Sequence, residues 1–577
     1  MFSVTHRCLR AASIFCVLLL QAAAFGQAAP DASAAVQAAP LFDILEFQVE
    51  GNSVLSVDAI ERAVTPFLGE GKQMAVVEAA RVALEKAYQG AGFLTVFVDV
   101  PEQRVDAGVV VLNVTEGRVA RLKVSGSRYF SQGYIREKVA ELADGKVPNF
   151  NEVQRQLALV NRTEDRRVQP IMRAGVVPGT VETELKVDDK LPLAGSVEIN
   201  NRAAADTKPL RLAASVRYEN LFQLDHSIAF SFATAPQDTA ESRVLSINYT
   251  IPGADQAAWV GYFINSDSNV AALGSVNVLG KGKTFGLRHV RPVTGVATED
   301  THSISLGLDY KDMKEDTRSG SNVISTPLRY LPFQFGYNGS VDHGARRQTL
   351  VSLQMAVAFR PILQRDVDCP GGTADQFACK RQGGDGGFAT LRTDLRHSVP
   401  LGSASAGSLN LRLGGQMATG PVPSGEQYTI GGAETVRGYH EAEGAGDRGL
   451  LGSVEWRSAD LGARISRWFA DDAGSGAGIS TVDSTSNSTS NSNSNSAAAA
   501  WVSQSYALAF VDVARAYIFD PATGQAPHTS LAGAGFGMRV KVRKSVSGEF
   551  DLAWPLKATT ATPDRSPRAH VRLAVDF

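Results

Sequence analysis

From residue 191 to residue 577 the chain consists of short segments in which apolar and polar residues alternate. In the segment 303–310 one face holds only apolar residues: Ile304, Leu306, Leu308 and Tyr310. A period of two with one apolar face is typical of a β-strand that lies between two different media. About sixteen such segments follow one another, each near the length that a tilted strand needs to cross a bilayer core. The pattern favours a transmembrane antiparallel β-barrel over the alternative, a soluble β protein.

The connections between these segments are alternately long and short. Long connections cover 264–281, 313–326, 363–387 and 419–448, whereas short ones include 220–225 and 544–546. Bacterial barrels have long external loops and short periplasmic turns, so the alternation supports a barrel whose first strand rises from the periplasm. One periplasmic connection breaks the pattern, because residues 470–500 are rich in Ser and Asn and poor in large apolar residues. We expect this insertion to be disordered, since it cannot bury enough apolar surface to fold.

The N-terminus indicates export from the cytoplasm. Arg7 and Arg10 precede the apolar run 11–24, which predicts a signal peptide over residues 1–27. A short, Ala-rich segment covers residues 28–41. No later stretch has the roughly 20 apolar residues of a spanning helix, but a closed barrel crosses a membrane because its strands satisfy all backbone hydrogen bonds. We therefore expect residues 191–577 to lie in outer-membrane lipid.

Two cysteines remain once the signal peptide is removed. Cys369 and Cys379 lie ten residues apart in the long connection 363–387. In an oxidising compartment such a pair predicts a small disulfide loop. A metal site is the weaker alternative, since no histidine lies nearby in the sequence. Because an external loop is peripheral, we expect the disulfide to be dispensable for export.

Charge and motif content exclude other classes of function. Lys and Arg number 57 against 59 Asp and Glu, which argues against a nucleic-acid partner bound by a basic face. No Ser/His/Asp set, metal-ligand cluster or phosphate-binding loop stands out among the nine histidines and their neighbours. The sequence predicts neither catalytic residues nor a metal or cofactor site.

Residues 42–118 and 119–190 repeat one pattern. The strand and glycine of Phe47–Gly51 align with Leu122–Gly126 at an offset of 75 residues, as do three positions of the next helix: Ser56 with Ser131, Ile60 with Ile135 and Val64 with Val139. In the first copy a second helix over 76–89 and strands over 93–100 and 108–114 follow. The predicted order is βααββ, twice. Two generic α+β domains are the alternative, since a fold alone does not determine function.

Three motifs of the first copy resemble those of a known domain: Tyr88-Gln-Gly-Ala-Gly-Phe93, Val100-Pro-Glu-Gln103 and Gly108-Val-Val-Val-Leu-Asn-Val-Thr-Glu-Gly117. They are similar to the first polypeptide-transport-associated (POTRA) domain of two-partner secretion transporters, the TpsB family. These outer-membrane proteins export haemolysins and filamentous adhesins. The resemblance implies that residues 42–118 form POTRA domain 1 and residues 119–190 form POTRA domain 2, both in the periplasm.

The glycine-rich connection 419–448, which we call the lumen loop, carries a second resemblance. Its residues Val436, Arg437, Gly438 and Tyr439 match the Val-Arg-Gly-Phe/Tyr motif of the same transporters. The resemblance implies that the loop folds back into the barrel and that Arg437 pairs with an aspartate of a Phe-x-Asp pattern on the inner wall.

Phe510 and Asp512 occupy the place of that pattern. The planar fork of an arginine suits a carboxylate, and a partly desolvated arginine needs such a partner. Alternatively, Arg437 is one of many solvated arginines in the lumen.

The function that the resemblance implies is protein transport. POTRA domains would bind an unfolded exoprotein, haemolysin- or adhesin-like, and the barrel would export it. The terminal Phe577 would be the assembly signal for the barrel-assembly machinery. The close alternative is a barrel-assembly insertase of the same superfamily, which usually carries more POTRA domains. A passive porin is less favoured, because it would not need residues 42–190.

Overall fold

The computed structural model describes residues 41–577 except 106, 206, 254–255, 269, 274–275, 280, 294–299, 320–321, 370–371, 403–405 and 463–501. The signal peptide predicted over 1–27, residues 28–40 of the Ala-rich segment and the insertion 470–500 lie outside the described residues.

The first α+β domain follows the predicted order of elements and adds a small strand pair. Its elements are β1 (Phe42–Ile44), β2 (Glu46–Glu50), α1 (Val57–Val64), β3 (Gly69–Lys72), α2 (Met74–Gly90), β4 (Val96–Asp99) and β5 (Val109–Glu116). Strands β2, β5 and β4 form a sheet in that order, with β2 parallel to β5, while β1 pairs with β3. Helix α2 buries Val77, Ala80, Leu84 and Tyr88, which lie on one face at the helical period.

Residues 118–189 repeat this topology. Their elements are β6 (Arg118–Ser125), α3 (Gln132–Lys138), α4 (Phe150–Val160), β7 (Arg166–Ala174) and β8 (Thr180–Asp189). The sheet order β6-β8-β7 is the order first-last-middle that the first domain also shows.

The glycine that ends the first strand has the same role in both copies. Gly51 has a φ of 85° and Gly126 a φ of 82°. A Cβ atom at Gly51 would lie 2.3 Å from the carbonyl oxygen of Val114, and one at Gly126 would lie 2.2 Å from that of Val187. Only glycine combines a positive φ with so close an approach to a neighbouring strand. The sequence repeat is therefore a structural repeat.

A closed antiparallel barrel follows. Its strands, in chain order with the small hairpins between them, are β9 (Leu193–Asn200), β10 (Arg211–Leu221), β11 (His226–Thr234), β12 (Ser242–Pro252), β13 (Ala258–Ser268), β14 (Val270–Leu273), β15 (Val276–Leu279), β16 (Lys281–Pro292), β17 (Thr301–Ser319), β18 (Asn322–Tyr330), β19 (Phe333–Asp342), β20 (Gln348–Ala358), β21 (Asp366–Cys369), β22 (Gly372–Asp375), β23 (Phe388–Pro400), β24 (Ser408–Ala418), β25 (Tyr428–Ile430), β26 (Gly444–Gly446), β27 (Arg448–Arg457), β28 (Val502–Tyr517), β29 (His528–Val542), β30 (Val546–Pro555) and β31 (Arg568–Asp576). The hairpins β14–β15, β21–β22 and β25–β26 lie outside the wall.

In the part of the chain that the structure describes, seventeen strands fill sixteen wall positions, because β18 and β19 pair with different halves of β17. Leu331 and Pro332 separate these two strands, and a proline has no N–H to donate to a ladder. Strand β31 pairs with β9 and closes the barrel. The predicted sixteen-position barrel is confirmed.

The two faces of the wall differ as predicted. Val511 and Val513 are about half exposed on the outer surface, whereas Asp512 between them is fully buried. In β31, Val571 and Leu573 face outward while His570 and Ala574 are buried inside. No described helix has the length and apolarity that a membrane span requires.

Long and short connections lie at opposite ends of the barrel. The short-turn end carries 222–225 and 543–545 together with the start of β9 and the C-terminus. The long-loop end carries 359–387, with β21, β22 and the helix α5 (Gln376–Lys380), and 419–447, the lumen loop. Counted over the described wall strands, the lumen loop is the sixth connection at its end.

Candidate functional site

The lumen loop folds inward against the wall instead of extending from the barrel. Strands β25 and β26 pair with each other and bring the two limbs of the loop together. Val436 and Tyr439 are fully buried and pack with residues of the loop and the inner wall: Tyr428, Ile430, Leu451, Ala514, Ala516 and Leu531. Gly438, between them in the motif, has a φ of 99° and lies so close to β30 that a Cβ atom would be 3.0 Å from the nitrogen of Pro555. The motif needs glycine here.

Arg437 makes a two-pronged contact with Asp512. Its Nε donates to Oδ2 of Asp512 at 2.7 Å, and its Nη2 donates to Oδ1 at 2.9 Å. Its backbone N–H also donates to Oδ2 at 3.2 Å. The remaining Nη1 donates to Glu455 at 2.7 Å. Two parallel hydrogen bonds to one carboxylate are the geometry that an arginine fork favours and that a lysine cannot reproduce.

The wall supplies further partners that sequence reasoning missed. The hydroxyl of Ser453 donates to Oδ1 of Asp512 at 2.7 Å, and Glu455 is paired with Arg457 as well as with Arg437. Ser453 is the direct cross-strand neighbour of Asp512, and Glu455 is that of Phe510. The pairing register of β27 with β28 would have identified both, but a single sequence does not state that register.

Phe510 has a defined place in this cluster. Its ring lies under the guanidinium of Arg437, with the guanidinium carbon 3.3 Å from the ring centroid. A cation over an aromatic face is attracted by the ring quadrupole, more strongly where water is excluded. The Phe-x-Asp pattern thus places a ring and a carboxylate against one guanidinium.

A guanidinium is not deprotonated in proteins, and Arg437 has the carboxylates of Asp512 and Glu455 as hydrogen-bonded partners. The guanidinium therefore stays charged. Arg437 is 7% exposed and Asp512 is 0% exposed, so removal of either one would leave a buried charge without its main partner.

The rest of the motif is held by the last strands of the barrel. The backbone N–H of Gly438 donates to Nε2 of His570 at 3.0 Å. The hydroxyl of Tyr439 lies 2.9 Å from the carbonyl oxygen of Ala532 and 2.8 Å from that of Lys557. His570 is a polar residue on the inner face of β31, which the alternation of that strand indicates without revealing this contact.

The lumen loop borders two polar cavities inside the barrel. One, of about 630 Å³, is lined in part by Lys311, Tyr330 and Glu426. The other, of about 540 Å³, is lined in part by Arg437 and Asp512. Glu426 accepts hydrogen bonds from Lys311 at 2.5 Å and from Tyr330 at 2.9 Å, which ties the first limb of the loop to the opposite wall. The loop therefore lies across the lumen, where any transported chain would meet it.

The other residues singled out in the sequence lie away from this cluster. Cys369, at the end of β21, and Cys379, in α5, form a disulfide with a Cα–Cα distance of 5.7 Å. The loop they close is not peripheral, contrary to expectation, because Gln376 and Phe377 of α5 are buried. The terminal Phe577 exchanges two backbone hydrogen bonds of 2.9 Å with Gly195 of β9. It therefore lies at the closing seam, where the last wall strand, β31, pairs with the first, β9.

Comparison with known proteins identifies the matching families. The profile described as "POTRA domain, ShlB-type" matches residues 42–117. The profile described as "Haemolysin secretion/activation protein ShlB/FhaC/HecB" matches residues 179–478, which is just over half of the chain.

A curated relative is a transporter of the outer membrane. The outer membrane transporter CdiB of Dickeya dadantii (strain 3937) is 23% identical over 390 residues, which cover 64% of this chain and 64% of that protein. The aligned part thus spans slightly less than two thirds of that relative.

Two solved structures show the same fold. CdiB from Escherichia coli superposes with a TM-score of 0.57 at 17% identity, over 95% of this chain and 93% of the other. BamA from Haemophilus ducreyi lacking POTRA domains 1–3 superposes with a TM-score of 0.51 at 13% identity, over 93% of this chain and 100% of the other.

These findings agree with the outer, apolar wall of the barrel and locate the chain in the outer membrane, with its POTRA domain in the periplasm. The matched family is one of transporters and not of enzymes. The chain belongs to the haemolysin secretion/activation protein family ShlB/FhaC/HecB, the two-partner secretion transporters.

Proposed function

We propose that the chain exports an unfolded partner protein from the periplasm through its barrel, as a two-partner secretion transporter. The observation that carries the proposal is the lumen loop, which lies across the barrel and is held there by Arg437 and Asp512. A passive pore would not need a loop that a buried ion pair holds across its lumen, because such a loop must move before the pore can open. The partner would be a haemolysin- or adhesin-like exoprotein.

Periplasmic recognition belongs to the two α+β repeats. We assign residues 42–118 to POTRA domain 1 and, because the sheet order is the same, residues 119–190 to POTRA domain 2. In the first domain, β2 and β4 are edge strands of the sheet, and Phe97 of β4 is 63% exposed. An unfolded chain can add a strand to such an edge through main-chain hydrogen bonds and place a side chain against an exposed ring.

Biogenesis follows the usual route of an outer-membrane barrel in this proposal. Residues 1–27 are removed as a signal peptide after export. The barrel-assembly machinery then inserts the chain into outer-membrane lipid, and Phe577 at the end of β31 is the assembly signal.

The test is secretion of a candidate partner. A large exported protein encoded beside this chain is co-expressed with it, and the amount that reaches the cell surface and the medium is measured. We expect export with the intact chain and none after deletion of residues 42–190. The purified deletion variant should retain its barrel, shown by heat-modifiable migration on gels. Export that persists without residues 42–190 would contradict the proposal.

The second candidate is a barrel-assembly insertase, favoured by the fold that the chain shares with BamA. An insertase would change the level of other barrel proteins in the outer membrane. We expect those levels to be equal in cells with and without this chain. A general loss of barrel proteins on its deletion would favour the insertase.

A further inference from the structure

The residue Asp447 joins three connections at the long-loop end of the barrel. It ends the lumen loop, immediately before β27, and it is fully buried. Its carboxylate accepts from Nη2 of Arg381 at 2.5 Å, from the N–H of Val422 at 3.1 Å and from the N–H of Phe519 at 2.7 Å. Arg381 belongs to the connection 359–387, Val422 to the lumen loop and Phe519 to the connection 518–527.

The segment that presents Arg381 is the disulfide-closed one. Cys379 lies in α5, and the helix ends at Lys380, so Arg381 is the next residue. The side chain of Gln376 attaches α5 to the wall, because its amide donates to the carbonyl oxygen of Arg329 and its oxygen accepts from the N–H of the same residue, both at 2.8 Å. The disulfide and this pair of hydrogen bonds together determine where Arg381 lies.

Helix α5 faces the interior of the barrel. The ring of Phe377 packs edge-to-face on Tyr330, with the ring centroids 5.8 Å apart. Tyr330 lines the lumen cavity and donates to Glu426 of the lumen loop. Phe377 also belongs to one buried cluster with Val422 of that loop. The disulfide-closed segment thus covers the first limb of the lumen loop on the long-loop side.

We propose that α5 and the following Arg381, held by the Cys369–Cys379 disulfide and by the Arg381–Asp447 contact, form a second lock on the pore, in series with Arg437–Asp512. The inference rests on the proposed function, since it takes the barrel lumen as the export path. The Arg437 contact holds the tip of the lumen loop, and the Asp447 contact holds its end together with the two flanking connections. A chain in transit must displace both.

The test is the conductance of the purified full-length protein in planar lipid bilayers, without any partner. We expect Asp447→Asn to raise the fraction of time spent in open states by roughly five-fold or more, a usual size of coupling between one contact and a two-state equilibrium. Asparagine keeps the shape and the acceptor oxygen but removes the charge that Arg381 meets. Asp385→Asn is the matched control, because Asp385 lies in the same connection in an exposed ion pair 3.8 Å long with Arg360.

The disulfide gives an independent measurement on the unmutated chain. Adding a thiol reductant should raise the open fraction of the wild type, and the C369S/C379S variant should show the raised value without reductant and no further response. Heat-modifiable migration verifies that each variant is folded. Wild-type conductance in both D447N and C369S/C379S, or an equal rise in D385N, would overturn the second lock. Conductance without a partner does not measure export. Failure of the second lock would therefore not contradict the proposed function, which the secretion experiment tests separately.

Discussion

The contact between Arg437 and Asp512 is a residue-scale feature that sequence reasoning could anticipate in part. A period of two places Asp512 on the inner face once Val511 and Val513 are assigned to lipid. The partners Ser453, Glu455 and His570 could not be anticipated, because they depend on the register of neighbouring strands and on where a loop tip lands. Loop residues have no periodicity from which to infer their contacts.

We expect Arg437→Ala, Asp512→Ala and the double variant to insert as barrels, to lose export of the partner and to show altered conductance. Removing one member of a buried ion pair costs about 3–5 kcal/mol, because the other charge remains buried. A cost of that size shifts a two-state loop by a factor of more than about a hundred. The wall is unaffected, since its backbone ladders do not involve the motif. Export and conductance are measured across the whole cycle.

The double variant should be no worse than either single variant, because residues in one contact are not additive. Arg457→Ala is the matched control: Arg457 is more exposed and bonds the same Glu455 without touching Asp512. Strictly additive defects, or an equal defect in the control, would mean that the two residues act separately.

At the scale of elements, the repeated strand-turn-helix pattern was readable because its glycines and apolar positions recur at one offset. The strand pair of β1 with β3 was not, since three or four residues carry no measurable alternation. The inward packing of α5 was also not foreseeable. It depends on Tyr330, which is remote in the sequence, and on a buried Gln376 that composition alone would place on the surface.

Gly51→Ala should destabilise the first α+β domain by ~1–3 kcal/mol, because a residue with a Cβ atom is strained at a φ of 85° and meets the carbonyl oxygen of Val114. Gly90→Ala, at the end of α2, is the control, since a Cβ atom there has no neighbour within 4 Å. Protease sensitivity of residues 42–118 in the full-length protein should rise only for Gly51→Ala. Equal sensitivity of both variants would refute the turn argument.

The second repeat contacts the turn 222–225 through a partly buried ion pair. Arg166 donates to both carboxylate oxygens of Asp225, at 2.6 and 2.8 Å, and Tyr134 donates to the same carboxylate. We expect Asp225→Asn to raise hydrogen exchange in residues 123–140 and 157–171, because it leaves the side chain of Arg166 buried without a counter-charge. Lys190→Ala is the control, since Lys190 is exposed and its ion pair is 3.9 Å long. Unchanged protection in Asp225→Asn would exclude this attachment.

The same contact has a defined pH dependence. Burial acts to raise the pKa of Asp225, but the hydrogen bonds and charge of Arg166 outweigh burial and lower the pKa. A lowered pKa in the folded state gives stability that is present above the unfolded value of about 3.9 and is lost as the pH falls through the lower folded value. Protection of the same amides should therefore persist at pH 5 and decline only below about pH 4. Loss of protection between pH 7 and pH 5 in the wild type would contradict this assignment.

At the scale of the whole molecule, the sixteen-position wall was predictable from alternation alone, because each strand has one face toward lipid and the other toward a polar lumen. The break at Pro332 and the closing seam were not, since both depend on which strands pair. The pairing of β31 with β9 that closes the barrel is the shortest among the described wall strands, with residues 572–576 opposite 196–200. An ion pair of 2.9 Å between Arg572 and Glu198 reinforces it.

Closure of the barrel should depend on the fit between Phe577 and Gly195. A Cβ atom at Gly195 would lie 2.4 Å from the ring of Phe577, so the ring occupies the space that any larger residue would need. We expect Gly195→Val to displace the ring and, like deletion of Phe577, to reduce the assembled barrel. Gly261→Val is the matched control, because Gly261 lies in β13 and a Cβ atom there would meet no neighbour within 4 Å. Heat-modifiable protein in outer-membrane fractions measures assembly. If both valine variants assemble at wild-type levels, the terminal aromatic ring does not act through its packing on Gly195.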